Sequence, residues 1–185
     1  VAIAPKTDSA FLHTTTASNI SGGNYTTIDN PLLNGHSQAR ILVQHIYKGS
    51  RHDVNLGVWY DGSKWTIFTE DNSVMPAGKD YNVWLLPSDK SFVHTVDSSN
   101  IYLSSNSLLD NPQTNNNPNA NILVTALLNG GDYFDHVQGT YYDITNQKWA
   151  IYNEDLTPYS VGIKYNIYVA NSLGLPTAVE EENNP

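Results

Sequence analysis

The sequence contains no cysteine, so neither disulfides nor thiolate metal sites can hold it together. It has a single methionine and no apolar run near the roughly 20 residues that a membrane-crossing helix needs. Basic residues are scarce: nine Lys and Arg stand against 18 Asp and Glu, a formal net charge of −9. Phosphate backbones and anionic lipid surfaces are bound by clustered cations, so nucleic acid and membrane insertion are both disfavoured. Ca2+ and a neutral polymer such as a polysaccharide stay compatible with that charge. No window carries a helical period of apolar residues. The spacings GxSxG, HExxH, HxH and DxDxDG are also missing, which removes the usual sequence support for a nucleophilic hydrolase, a zinc protease or a calcium loop.

What the chain does have is aromatic weight and a repeat. Twelve Tyr, four Trp and four Phe supply the bulky apolar groups, and 39% hydrophobic against 15% charged residues places the chain among folded globular proteins. The stretch 57–71, GVWYDGSKWTIFTED, returns at 139–155 as GTYYDITNQKWAIYNED. AFLHTT at 10–15 returns as SFVHTV at 91–96, with an offset of 81 residues (92 − 11 and 94 − 13). The same offset carries Asn19 to Asn100, Asp29-Asn30-Pro31 to Asp110-Asn111-Pro112, and Ile41-Leu42-Val43 to Ile122-Leu123-Val124. The second copy then gains a residue before Gly139 and two more in the following turn, and insertions between strands fall where loops tolerate them.

Each copy, of about 80 residues, is long enough for one modest core. Runs of Val, Ile, Tyr, Trp and Thr bounded by Gly, Asn, Asp and Pro read as strands. They predict strands near 10–15, 25–28, 40–47, 54–60, 64–69 and 80–86 in the first copy. In the second they predict 91–96, 101–103, 121–127, 137–143, 148–153 and 164–170. Alternation puts Trp65 and Ile67 on the core face of their strand, with Thr66 and Phe68 opposite. The expectation is an all-β protein of two tandem, pseudo-equivalent β-sandwich-like repeats, 9–87 and 88–170, joined near Pro87 to Lys90. Residues 1–8 read as a loose leader or an added edge strand, and 171–185 as a polar acidic tail. The opening VAIAPKTDS, without an initiator Met, is consistent with a mature product whose signal peptide is gone or with a trimmed chain.

The combined pattern of FxH, IDNPLLNG, ILVQ, GVWYDGSKWTIFTED, MPAG and YNVWL resembles a family of bacterial exported proteins built from tandem copies of a domain of unknown function. The resemblance runs from Phe11 to Ala170 and is strongest in the first copy; the second departs from it at Tyr159-Ser160, where the first has Met75-Pro76. It implies a secreted or cell-surface β-repeat protein and brings no catalytic residues with it.

Candidate site residues fall into two groups. Trp59, Tyr60 and Asp61, with their counterparts Tyr141, Tyr142 and Asp143, place aromatic rings beside carboxylates; rings stack on sugars and carboxylates bind hydroxyls, so these are the candidate ligand-binding residues. Tyr25, Tyr47 and Tyr133 are further aromatics near loops. His13 and His94, Asp29 and Asp110, and Glu70 and Glu154 are polar residues of the repeat signature. Buried hydrogen bonding explains the histidines, and turn capping explains the acids, more simply than metal binding or catalysis does. Lys64 and Lys148 either cover aromatic surface with their stems or supply an isopeptide cross-link. No catalytic residue, metal ligand or cofactor is expected, Ca2+ being the one ion left open. The functional expectation is a non-enzymatic extracellular structural module that self-associates into an oligomer or fibre. The alternative is a secreted lectin-like carbohydrate-binding module, and after it a glycan-active or metal-dependent enzyme.

Overall fold

The computed structural model describes residues 9–128 and 133–170. The expected leader and acidic tail, 1–8 and 171–185, lie outside the described residues. Those residues contain fourteen strands and no helix. The first copy supplies β1 (Ser9–Thr14), β2 (Ile20–Ser21), β3 (Tyr25–Thr27), β4 (Ile41–Ile46), β5 (Leu56–Tyr60), β6 (Trp65–Thr69) and β7 (Asp80–Leu85). The second supplies β8 (Ser91–Thr95), β9 (Ile101–Tyr102), β10 (Asn106–Leu108), β11 (Asn121–Leu127), β12 (Gln138–Asp143), β13 (Lys148–Asn153) and β14 (Lys164–Ala170).

The short strands differ from expectation in one way. Residues 25–28 and 101–103 are not equivalents; each is one arm of a two-stranded ribbon present in both copies, β2 with β3 and β9 with β10. The missed arms, Ile20–Ser21 and Asn106–Leu108, have turn-like composition. They are strands because a neighbour pairs with them, Ile20 opposite Thr26 and Asn106 opposite Tyr152. The offset of 81 residues already links 101 to 20 and 106 to 25, and would have exposed both.

Each copy is a sandwich of three strands against four. In the first, β1-β7-β4 faces β2-β3-β6-β5; in the second, β8-β14-β11 faces β9-β10-β13-β12. The inner faces make two separate cores. One gathers Ile41, Val83, Leu85, Val58, Trp65 and Ile67, the other Tyr165, Ile167, Val169, Ile151 and Leu109. Trp65 and Trp149 each keep their indole N–H satisfied by a loop carbonyl, of His36 at 3.0 Å and Asn117 at 2.9 Å, so both rings pack without stranding a donor.

The two sandwiches are not merely adjacent. β5 pairs in parallel with β11, Gly57 opposite Ala126 and Val58 opposite Leu127, and the Leu128 N–H donates to the Val58 carbonyl at 3.0 Å. Four strands of the first copy and three of the second thus form one seven-stranded sheet, ordered β2-β3-β6-β5-β11-β14-β8. A third apolar cluster of Leu42, Leu86 and Tyr168 seals the seam, with Trp84 tilted on Tyr168 at 4.9 Å between ring centres.

Candidate functional site between the two repeats

The seam is where the two copies stop being alike. Residues 133–135, between β11 and β12, lie against the first copy at the end of β6. The Tyr133 hydroxyl accepts from the Asn24 amide at 2.8 Å, and its ring meets Phe68 edge-on at 5.5 Å. Asp135 accepts from Asn55 at 2.8 Å, and the Phe134 N–H donates to Glu70 at 2.9 Å. Phe68, on the face of β6 away from the core, is covered in this way, and every residue of β6 is buried. Glu70 is 4% exposed, and that burial pushes its carboxyl up to about 7; the Phe134 N–H opposes the shift and the Asp135 carboxylate adds to it.

On the other side of the β5–β11 pairing lies a cleft of about 370 Å³. Trp59, Tyr60 and Trp65 line it from the first copy, with Arg40; Leu127, Leu128, Lys164 and Asn166 line it from the second. Asn166 is fully buried: its amide N–H donates to the Ile41 carbonyl at 3.1 Å and its Oδ1 has no partner among the described residues. The Arg40 guanidinium is held by Ser91 Oγ at 2.8 Å and the Ser88 carbonyl at 3.3 Å.

The six candidate ligand residues therefore separate. The Tyr60 ring enters this cleft beside Trp65, while the Trp59 ring turns to the opposite face of β5 and meets Tyr25 at 5.7 Å. Tyr141 and Tyr142 lie on β12, in the other four-stranded sheet, where Tyr141 meets Tyr152 and Tyr142 meets Trp149 at 5.7 and 5.9 Å. Asp61 and Asp143 are held by turns. Asp61 Oδ1 accepts from the N–H groups of Ser63 and Lys64, at 2.8 and 2.7 Å, and Asp143 Oδ1 accepts from that of Asn146 at 2.7 Å. These bonds pin the carboxylates to their hairpins.

The signature residues form two matched networks. His13 Nε2 lies 2.9 Å from Thr26 Oγ1, which donates to Asn19 Oδ1 at 3.0 Å; His94 Nε2 lies 2.7 Å from Ser107 Oγ, which donates to Asn100 Oδ1 at 2.9 Å. The hydroxyl proton is committed to the Asn, so the imidazole Nε2–H is the donor and cannot act there as a base. Burial lowers both histidines, His94 to about 4, against the opposing pull of Asp80 or Asp97. Asp29 and Asp110 each take an Asn amide at 2.7 Å and a lysine at 2.8 Å, Lys64 and Lys148 respectively. Each lysine head is thus in an ion pair, and a buried cross-link to Asn has no counterpart here. Asp71 and Asp155 cap turns, while Glu154 is exposed and accepts from the Tyr152 hydroxyl at 2.8 Å. Among the described residues no three His, Asp or Glu converge as a metal would require.

This duplicated architecture has a counterpart among known families. The model of a domain of unknown function, DUF7452, matches residues 1–85 and again 82–169. The chain belongs to this family. Neither curated proteins nor solved structures yield a match. In the tandem of DUF7452 domains, sequence reasoning overlooked Arg40, Lys164 and Asn166. Asn166 was signalled by the return of Tyr81-Asn82 as Tyr165-Asn166, but nothing in the sequence says that the second of these asparagines is buried at a seam. The loop 128–137 was signalled by the residue gained before Gly139.

Proposed function

We propose that the protein is a non-enzymatic extracellular structural module, needing no cofactor, that associates with further copies through sheet edges. The observation that carries this reading is the fate of one strand. β5 uses its outer edge to join one DUF7452 domain to the next, whereas its equivalent β12 pairs only with β13 among the described residues. An open edge is a template for another strand, and β12 carries none of the lysine, proline or bulge devices that discourage such pairing. Light scattering across a concentration series tests it. The chain should associate, and Thr140→Pro should abolish association while leaving the monomer folded. Thr140 is equivalent to Val58, whose carbonyl points at β11, so proline there removes an outward N–H and spares the β12–β13 ladder. A wild-type chain that stays monomeric at every concentration refutes the reading.

A second reading, carbohydrate binding, is favoured by one observation of its own: the Tyr60 ring lines an open cleft at the seam. Polysaccharide pull-downs with and without Ca2+ test it, and failure to retain any glycan counts against it.

A further inference from the structure

We infer that the cleft between the two domains binds a pyranose carrying a carboxylate or sulfate; this inference rests on the carbohydrate-binding reading and names its ligand class. The argument starts from charge. In a chain with twice as many acids as bases, the described residues lining this cleft include Arg40 and Lys164 and not one acid. Two further concavities show the opposite bias: one holds Asp97 and Asp110, the other Asp53, Asp71 and Asp135. The Lys164 ammonium makes no ion pair or hydrogen bond among the described residues, and Arg40 has donors left beyond its two bonds to Ser91 and Ser88. Two cations with spare donors facing one opening are complementary to an anion.

The rest of the lining selects a sugar over a bare anion. The Tyr60 ring, half-buried beside Trp65, leaves aromatic surface for the apolar face of a sugar ring. Asn166 Oδ1, buried and without a partner, is an acceptor in want of a donor, which a sugar hydroxyl supplies and a carboxylate cannot. The volume, about 370 Å³, falls within the range of small-ligand sites.

Calorimetric titration of the full chain with trigalacturonate, a sulfated galactose trisaccharide, galactotriose and triglutamate separates the alternatives. At least one of the two anionic sugars should bind about tenfold or more tightly than galactotriose, and its affinity should fall as salt is raised. Which of the two binds identifies carboxylate or sulfate as the anion. Lys164→Gln should cost about tenfold, while Lys148→Gln, whose lysine pairs with Asp110 in the acid-lined concavity, should leave affinity unchanged. Tyr60→Ala should weaken all sugars alike. Equal affinity for galactotriose overturns the anionic assignment and leaves carbohydrate binding standing; triglutamate binding as tightly as the better of the two anionic sugars overturns the pyranose. Binding of no sugar at all overturns both.

Discussion

Glu70 and Glu154 close the same strand of the same motif, and their surroundings could hardly differ more. Glu154 lies in solvent beside the Tyr152 hydroxyl; Glu70 is sealed beneath the Phe134 N–H with a carboxyl raised to about 7. The neighbouring glycines follow suit. A Cβ on Gly57 would meet the Phe68 ring and the Glu70 carboxylate, whereas one on Gly139 would meet the Tyr152 ring alone. The strands differ because the first domain has the second lying over it. Duplication supplied two equal domains, and the seam made one of them an interior.

If that is the cause, substitutions at matched positions should cost different amounts. Gly57→Ala forces a side chain against a ring and a carboxylate that are both fixed by burial. It should cost roughly 3 kcal/mol in denaturant unfolding, at the upper end for overpacking. Gly139→Ala needs only the partly exposed Tyr152 ring to swing and should cost about 1 kcal/mol. Equal costs would mean that the seam does not constrain β6.

The pH dependence sets the seam carboxyl and the buried signature histidines in opposite directions. Glu70 titrates near 4.5 when unfolded and at about 7 when folded, so the folded state keeps a proton that the unfolded chain releases. The stability this adds is complete below about pH 4.5 and is lost as pH rises through 7, on the order of 3 kcal/mol in all. His94, lowered from 6.5 to about 4 by burial, does the reverse: its contribution is complete above pH 6.5 and is lost as pH falls through 4. Glu70→Gln should flatten the alkaline limb of a stability profile and leave the acid limb in place, and Glu154→Gln should change neither. An alkaline limb that survives Glu70→Gln would detach it from the seam.

What the sequence discloses and what it hides follow the same division. The hairpins of the signature motif and the core face bearing Trp65 and Ile67 depend on contacts within one copy, and local pattern carries them; Asp61, expected to bind a ligand, instead caps its own turn. The burial of Phe68, Glu70 and Asn166 depends on the other copy. Phe68 and Tyr152 are matched aromatics at matched positions, yet one is 2% exposed and the other partly open. No periodicity of β6 could reveal that a loop some 65 residues downstream, carrying Tyr133 and Phe134, would cover it. The parallel β5–β11 pairing is hidden for the same reason, since an edge strand and a seam strand have the same composition.

Where both copies are left to themselves, matched substitutions should have matched effects, and the smallest expected change is the sharpest control. Lys64 pairs with Asp29 and Lys148 with Asp110 at the same 2.8 Å, each lysine partly covered beside an aromatic hairpin and each carboxylate largely in solvent. Exposed pairs contribute little because water and salt screen them, so Lys64→Ala and Lys148→Ala should each cost about 0.5 kcal/mol and weaken further at high salt. The two values should agree within a few tenths of a kcal/mol. A marked excess for Lys64→Ala would extend the influence of the seam to the outer turn of the first domain. Agreement, set beside unequal costs at Gly57 and Gly139, would confine the asymmetry of the duplication to the surface where the two domains meet.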